Sequence, residues 1–298
     1  MLTHSARQGP SPLEEIPFGG EFPDHPTEFL HGVHEDARLE LSAIAALADR
    51  LPQSVVHDIA AQPLLVPEGG PPKGALGRPG DVIRNLGEAD AWLTLLHVED
   101  DPEYADLMNS TLDRLEPGML GSEGKMRDRA AFIIVSSPNS VTPAHFDIEQ
   151  SLLMQVGGSK ILSVGRFETE AMRRYEAERY WDGSHGRVES MPEEMLSFSL
   201  APGRGVYIPQ LVPHWVHNGP NISITVTFTY FTNATMRKNR IENLNSRLRR
   251  FHLSPRPPGQ SAPIDAVKTA AIGAFGLARN LRSGIAGAAT RGGHRRQS

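Results

Sequence analysis

The most regular polar and apolar alternation in the chain runs from Ile222 to Tyr230. Ile222, Ile224, Val226, Phe228 and Tyr230 fall on one side, and Ser223, Thr225, Thr227 and Thr229 on the other. A period of two marks a β-strand whose faces meet different surroundings. Residues 151 to 165 instead hold two apolar runs around Gly157 and Gly158, which predict a hairpin of buried strands with Lys160 opening the second. Val206-Tyr207-Ile208 predicts another strand, closed by the turn Pro209 to Pro213. Upstream, Leu39, Leu41, Ile44, Leu47, Ala48 and Leu51 recur at helical spacing and stop before Pro52. Trp92 to Val98 reads as a short strand, and Pro102 to Leu115 as a helix with Tyr104, Leu107, Met108, Leu112 and Leu115 inward. An insertion from Phe167 to Leu200 opens with a charged helical stretch, Glu168 to Arg179. It continues into the cluster Tyr180 to Gly186, either a packed turn or a substrate lid. Met236, Arg240, Ile241, Leu244, Leu248 and Phe251 predict a helix after the last strand.

These patterns divide the chain into a poorly ordered segment 1–27, a helical and strand region 28–129, a β core 130–235, a helix 236–253, and a Pro-rich linker with basic tail 254–298. The Pro- and Gly-rich residues 62–80 form a long loop. Length and a 39% hydrophobic content allow one sizeable core. No apolar run approaches the roughly 20 residues that a bilayer span needs, and no basic-then-apolar leader opens the chain, so a cytoplasmic location is the default expectation. The absence of cysteine excludes disulfides, thiolate zinc sites and thiol nucleophiles. A net charge of −5 conceals an asymmetry: residues 236–298 hold thirteen Lys and Arg against two Asp and Glu. A basic tail on an acidic body suggests nucleic acid or an anionic surface as a partner, and a solubilising tail would have the same composition.

The chemistry concentrates in Thr142-Pro143-Ala144-His145-Phe146-Asp147 and in His214, 67 residues beyond Asp147. Two histidines and a carboxylate are the ligand set that holds non-haem Fe(II) on one face and leaves other coordination positions open. On a strand, His145 and Asp147 project to one side while Phe146 turns into packing. His214 and His217 compete for the third place. Three positions apart, they cannot both face a metal from one strand, and His214 is favoured because it follows the Pro-bounded turn. A lysine such as Lys160 inside a barrel calls for an anionic partner.

Val141-Thr142-Pro143-Ala144-His145-Phe146-Asp147, the glycine pair with Lys160, and Val206-Tyr207-Ile208-Pro209 leading to His214 and the 222–230 strand resemble the Jumonji C (JmjC) and cupin-like 2-oxoglutarate oxygenases. The pattern is nearest to the asparaginyl hydroxylase that inhibits hypoxia-inducible factor. The resemblance covers about residues 130 to 231. It implies a mainly β fold with flanking helices, a double-stranded β-helix (jelly-roll) barrel. It further implies that His145, Asp147 and His214 bind Fe(II), and that Lys160 and Thr142 hold the distal carboxylate of 2-oxoglutarate. Ser151 and Thr227 stand where that hydroxylase has asparagines lining the co-substrate pocket, and Trp92 falls near the place of a tyrosine. The activity implied is a dioxygenase that uses O2 and couples oxidative decarboxylation of 2-oxoglutarate to hydroxylation of an unidentified substrate, a peptide side chain or a small molecule. The C-terminal helix can mediate a homodimer in that family, although packing on the barrel would give the same stripe. Two rivals stay open at this point: a non-oxygenase cupin holding Zn(II) or Mn(II), and a binding protein whose tail contacts nucleic acid or a membrane.

Overall fold

The computed structural model describes residues 23–51, 54–58, 60, 62–66, 77–119 and 123–273. Most of segment 1–27, part of the loop 62–80 and the end of the basic tail therefore lie outside the described residues. In chain order the strands are β1 (Thr27–Leu30), β2 (Val55–Asp58), β3 (Trp92–Leu95), β4 (Met126–Ser136), β5 (Val141–His145) and β6 (Gln150–Gly157). They continue as β7 (Lys160–Arg166), β8 (Glu193–Leu200), β9 (Arg204–Ile208), β10 (His214–Asn218) and β11 (Ser223–Thr232). The helices are α1 (Leu41–Arg50), α2 (Pro79–Arg84), α3 (Pro102–Met119), α4 (Glu170–Arg179) and α5 (Asn233–Arg249). The chain divides into a unit ending at Asn233 and a unit from Ala234 onward.

All the strand pairings in the first unit are antiparallel and form two sheets. The major sheet runs β1-β9-β6-β11-β4-β3-β2 and the minor sheet β5-β10-β7-β8. From β4 to β11 the chain steps back and forth between them, which interleaves β4, β11, β6 and β9 opposite β5, β10, β7 and β8. This is a double-stranded β-helix, a jelly roll built from two Greek keys.

That topology overturns the predicted hairpin at Gly157 and Gly158. The strands β6 and β7 do not pair with each other; β6 lies between β11 and β9, and β7 between β10 and β8. The apolar runs were read correctly as buried strands, but burial on both faces is equally the signature of two strands facing each other across a sandwich. The glycines make a crossing between sheets. Gly158 has φ +70°, and a Cβ there would come within 2.3 Å of the Ile222 carbonyl oxygen, so only glycine fits.

Both faces of β11 are enclosed. Val226, Phe228 and Tyr230 join the main core with Ile133 and Val135 of β4, Ile44 and Leu47 of α1 and Leu112 of α3. Each such side chain contributes about 1.5–3 kcal/mol on burial. The other face, with Ser223, Thr225, Thr227 and Thr229, points into the barrel and is also buried. Leu153, Leu162, Val164, Leu200, Val206, Ile208 and Val216 form the apolar part of that interior. A polar face in the sequence is thus enclosed in the barrel rather than exposed on a sheet surface.

In the second unit, Ile241, Asn245 and Ser246 are the buried positions of α5, whereas Arg240 is exposed and Phe251 is 75% exposed. The helix ends at Arg249, so Phe251 falls in the following turn, where helical spacing no longer places it. A further helix spans 262–273. No helix among the described residues is long and apolar enough to cross a membrane.

Candidate metal and co-substrate site

The inner face of the minor sheet presents three rows of side chains. Across one row, Val164 pairs with His214 and His214 with His145. The next holds Leu162, Val216 and Thr142, and the third Lys160 and Asn218. Four residues of strand separate Lys160 from Val164, about 13 Å at roughly 3.3 Å per residue. The same order appears on the facing sheet. Ser151 approaches Asp147 at the first row, Thr225 meets Lys160 at the third, and Thr227 lies between them on β11.

At the first row, one ligating atom each from His145, Asp147 and His214 can be chosen so that all lie within 4.8 Å of one another. The imidazole centroids are 4.3 Å apart, and His214 Nε2 is 3.8 Å from Asp147 Oδ2. Each imidazole is oriented by its own backbone: His145 Nδ1 donates to the Pro143 carbonyl at 2.8 Å, and His214 Nδ1 to the Val212 carbonyl at 3.1 Å. A carbonyl only accepts, so both protons sit on Nδ1 and both Nε2 lone pairs are free for a cation. Burial, and then the neighbouring His214, hold His145 well below the ordinary imidazole range, which keeps it a neutral donor.

Asp147 is not on the strand that carries His145, contrary to the strand geometry expected from the sequence. The strand β5 stops at His145 because Phe146 N donates to the Gly186 carbonyl, and the Asp147 carbonyl accepts from Leu211 N at 2.7 Å. These bonds tie the ligand loop to the insertion and to the turn before β10. Phe146 is buried with Ala144, Ile148, Val188 and Trp215, as its place between two ligands required. His214 is 3% exposed; His217 is exposed, paired with Val141 and Ile161.

Lys160 is 6% exposed, and among the described residues no carboxylate pairs with it. Its Nζ donates to Thr225 Oγ1 at 2.5 Å, and burial lowers its pKa to about 7. Among the described residues the anionic partner expected from the sequence is therefore not a protein group: Lys160 bonds a hydroxyl, and desolvation disfavours its charged form. Nearby polar atoms are also unpaired. Trp92 Nε1, Thr94 Oγ1 and Thr227 Oγ1 are buried without a hydrogen-bond partner. Strand register puts Trp92 and Thr94 on the inner face, beside Ser136 and Ile134, which in turn pair with Ser223 and Thr225. Leaving such atoms unpaired costs about 1–3 kcal/mol each, and a polar ligand in the lumen would remove that cost.

Sequence reasoning missed several groups around the ligands. Glu149 is pushed up to about 7 by burial and by the Asp147 carboxylate. Tyr180 is pushed up to about 12 by burial, with Glu149 and Asp147 adding to it. Arg187 forms a bridge with His145, is lowered by burial and faces Asp58. Thr94 and Gln155 also line the interior. Tyr180 belongs to the cluster read from the sequence as a packed turn or a lid, but nothing local marks Glu149, Arg187, Thr94 or Gln155, because the insertion and the far strands reach the site only through the fold.

An antiparallel jelly roll with a two-histidine, one-carboxylate cluster at one end of its interior has the architecture of the cupin-like barrels. Residues 119–238, which include the barrel strands β4 to β11, match the family described as the JmjC domain. No curated protein matches the chain. Among solved structures, the ribosomal oxygenase YcfD of Escherichia coli aligns over 83% of this chain and 62% of its own, at 15% identity and a TM-score of 0.47. YcfD in complex with cobalt and 2-oxoglutarate gives the same coverage at 16% identity and TM-score 0.47. A Streptococcus pyogenes protein of unknown function covers 35% of this chain and 66% of its own, at 8% identity and TM-score 0.24. The chain thus spans about three fifths of the YcfD structures it matches, and likeness at this level carries no argument about activity.

Proposed function

We propose that this protein is an Fe(II)- and 2-oxoglutarate-dependent dioxygenase that couples oxidative decarboxylation of 2-oxoglutarate to hydroxylation of a substrate, a protein side chain in the reading favoured here. The observation that carries the proposal is the pairing of two sites in one lumen. A candidate three-ligand cluster with free Nε2 atoms lies about 13 Å along the strand from a buried lysine with no carboxylate partner among the described residues. A dicarboxylate, together with the reach of the lysine side chain, spans that interval.

His145, Asp147 and His214 would hold the metal, and two imidazoles with one carboxylate suit Fe(II). Iron bound there supplies O2 activation and the oxidative chemistry. The chain's own residues bind and orient. Lys160 takes the distal carboxylate through a charge-assisted bond. Thr142 and Thr227, in the middle row, offer hydroxyls along the length of the co-substrate, and Trp92 Nε1 and Thr94 Oγ1 add donors from the far side. Ser151 Oγ lies 3.5 Å from Asp147 Oδ2 and steadies that carboxylate while the imidazoles are held from behind. Leu162, Val216 and Leu153 exclude water between the two ends.

A cupin holding Zn(II) or Mn(II) without oxygenase chemistry would need the triad and leave Lys160 unexplained. Anaerobic loading with Fe(II), addition of 2-oxoglutarate and air, and measurement of succinate with and without fractionated cell extract test the reading. Succinate formation that extract stimulates supports it; iron binding without any 2-oxoglutarate turnover sinks it. The acidic body and basic C-terminal region favour an anionic partner for residues 254–298, and pairing through α5 is the proposed route to a homodimer. Truncation at residue 253 with salt-dependent RNA binding tests the first, and light scattering of the full-length protein beside an Ile241→Asp variant of α5 tests the second.

A further inference from the structure

Among the described residues Lys160 Nζ has a single hydrogen-bond partner, the hydroxyl of Thr225, and that hydroxyl is itself committed. Thr225 Oγ1 donates to Gln155 Oε1 at 3.0 Å. The carboxamide of Gln155 cannot be turned over, because its Nε2 donates to the Gly157 carbonyl at 2.5 Å and lies 3.1 Å from Ser223 Oγ. A carbonyl accepts and never donates, so the nitrogen must face Gly157 and the oxygen must face Thr225. The Thr225 proton is then fixed on Gln155, which leaves only lone pairs toward the lysine. Gln155 is 0% exposed and Thr225 is 0% exposed, so water does not compete. A register shift between Ile224 and Thr225 brings Gln155 opposite Thr225, and the sheet crossing returns Lys160 to the same spot five residues after Gln155.

We propose that Gln155 is a positioning residue for the co-substrate: it locks the Thr225 hydroxyl as an acceptor, which holds the Lys160 ammonium at one lone pair and leaves its other N–H donors for an anion in the lumen. This rests on the reading of 2-oxoglutarate as co-substrate. Were the hydroxyl free to turn, its proton could point at the ammonium, and the lysine would shift or lose its charge in a dry site. The groups packed around Lys160 are neutral: Leu200 and Asn218 are its strand neighbours, and Thr225 faces it. His31, which approaches the backbone of Gln155 from the segment after β1, is kept uncharged near neutral pH by burial, its pKa lowered to about 4.

The test is titration of 2-oxoglutarate into the full-length, Fe(II)-loaded protein without oxygen, from pH 6 to 9, alongside Fe(II) affinity and thermal melting. Wild-type affinity should fall about tenfold per pH unit once Lys160 loses its proton. Gln155→Leu should bind 2-oxoglutarate about tenfold more weakly, the worth of one hydrogen bond to a charged group, and begin that fall at lower pH, with Fe(II) affinity unchanged. Thr225→Val should do the same, and Thr225→Ser, which keeps the hydroxyl, should restore both affinity and pH profile. Gln155→Glu places a carboxylate beside the ammonium, so binding should weaken while the fall moves to higher pH. If the wild type does not bind 2-oxoglutarate, the co-substrate reading is lost. If it binds and Gln155→Leu matches it in affinity and pH profile, the positioning role is lost. Should Gln155→Leu fail to fold, the Thr225→Val and Thr225→Ser pair decides: equal profiles overturn the proposal, and a difference between them supports it.

Discussion

The two ends of the barrel interior solve opposite problems with the same strands. At the Lys160 end every contributing group is enclosed: Lys160 is 6% exposed and Thr225 and Gln155 are 0%. At the His145 end the Asp147 side chain is 37% exposed, and the half-buried Tyr180, Trp181 and Leu211 lie around the ligands. A charge anchor gains strength from low dielectric, since Coulomb attraction grows as water is removed. A reaction end must admit substrate and so cannot be sealed. The cost of the enclosed end is an ionisable group stripped of solvent; one hydroxyl offsets part of it, and the remainder shows as a pKa lowered to about 7. The difference teaches that the imidazoles of the candidate triad are oriented by backbone carbonyls, whereas the lysine is held by a side-chain relay.

The comparison breaks most sharply at the open end. Asp147→Ala or His214→Ala removes one of three ligands, and Fe(II) affinity measured by anaerobic titration should fall by more than about a hundredfold, with 2-oxoglutarate turnover abolished. Fe(II) binding by His214→Ala at wild-type strength would dismantle the triad.

At the closed end, Lys160→Met should lower 2-oxoglutarate affinity about ten- to a hundredfold, from the loss of roughly 1.5–3 kcal/mol. Fe(II) binding should survive. The same variant should raise the melting temperature of the ligand-free protein by a few degrees. A lysine whose pKa is depressed in the folded state binds fewer protons there than when unfolded, between about pH 7 and the ordinary lysine value. Stability therefore rises with pH across that window and is least where the buried amine must be charged. A drop in melting temperature would show that Lys160 stabilises the fold instead of serving the ligand.

Smaller effects sharpen the contrast. Thr227→Val fills the middle row with a methyl in place of an unpaired hydroxyl, so 2-oxoglutarate affinity should fall about threefold to tenfold while stability is kept or gained. Ser151→Ala removes a long contact to Asp147 and should weaken Fe(II) by no more than about threefold. His217→Ala should be close to neutral in both titrations, because the side chain is exposed; equal losses in the His214 and His217 variants would refute the assignment of faces.

Much of the barrel was legible in the sequence because its signals are local. The alternation from Ile222 to Tyr230 reports a strand with two unlike faces, whatever lies beyond, and the apolar runs on either side of Gly157 report buried strands. What those strands pair with is not local. A hairpin and a crossing between sheets share one glycine pair and one apolar pattern, and only the closing of β6 onto β11 and of β7 onto β10 separates them. The same limit applied to Asp147, whose place off the end of β5 depends on bonds to Gly186 and Leu211, 39 and 64 positions away.

By itself, then, the sequence offered the candidate ligand types, their order along the chain and the preference for His214 over His217, because residue chemistry, strand parity and the Pro-bounded turn before His214 are all local. The tertiary structure alone decided that, among the described residues, Lys160 has no carboxylate beside it, that Trp92, Thr94 and Thr227 leave polar atoms unpaired in the lumen, and that the Thr225 hydroxyl donates to Gln155. Desolvation and hydrogen-bond direction arise from groups that meet only when distant strands close around the same volume.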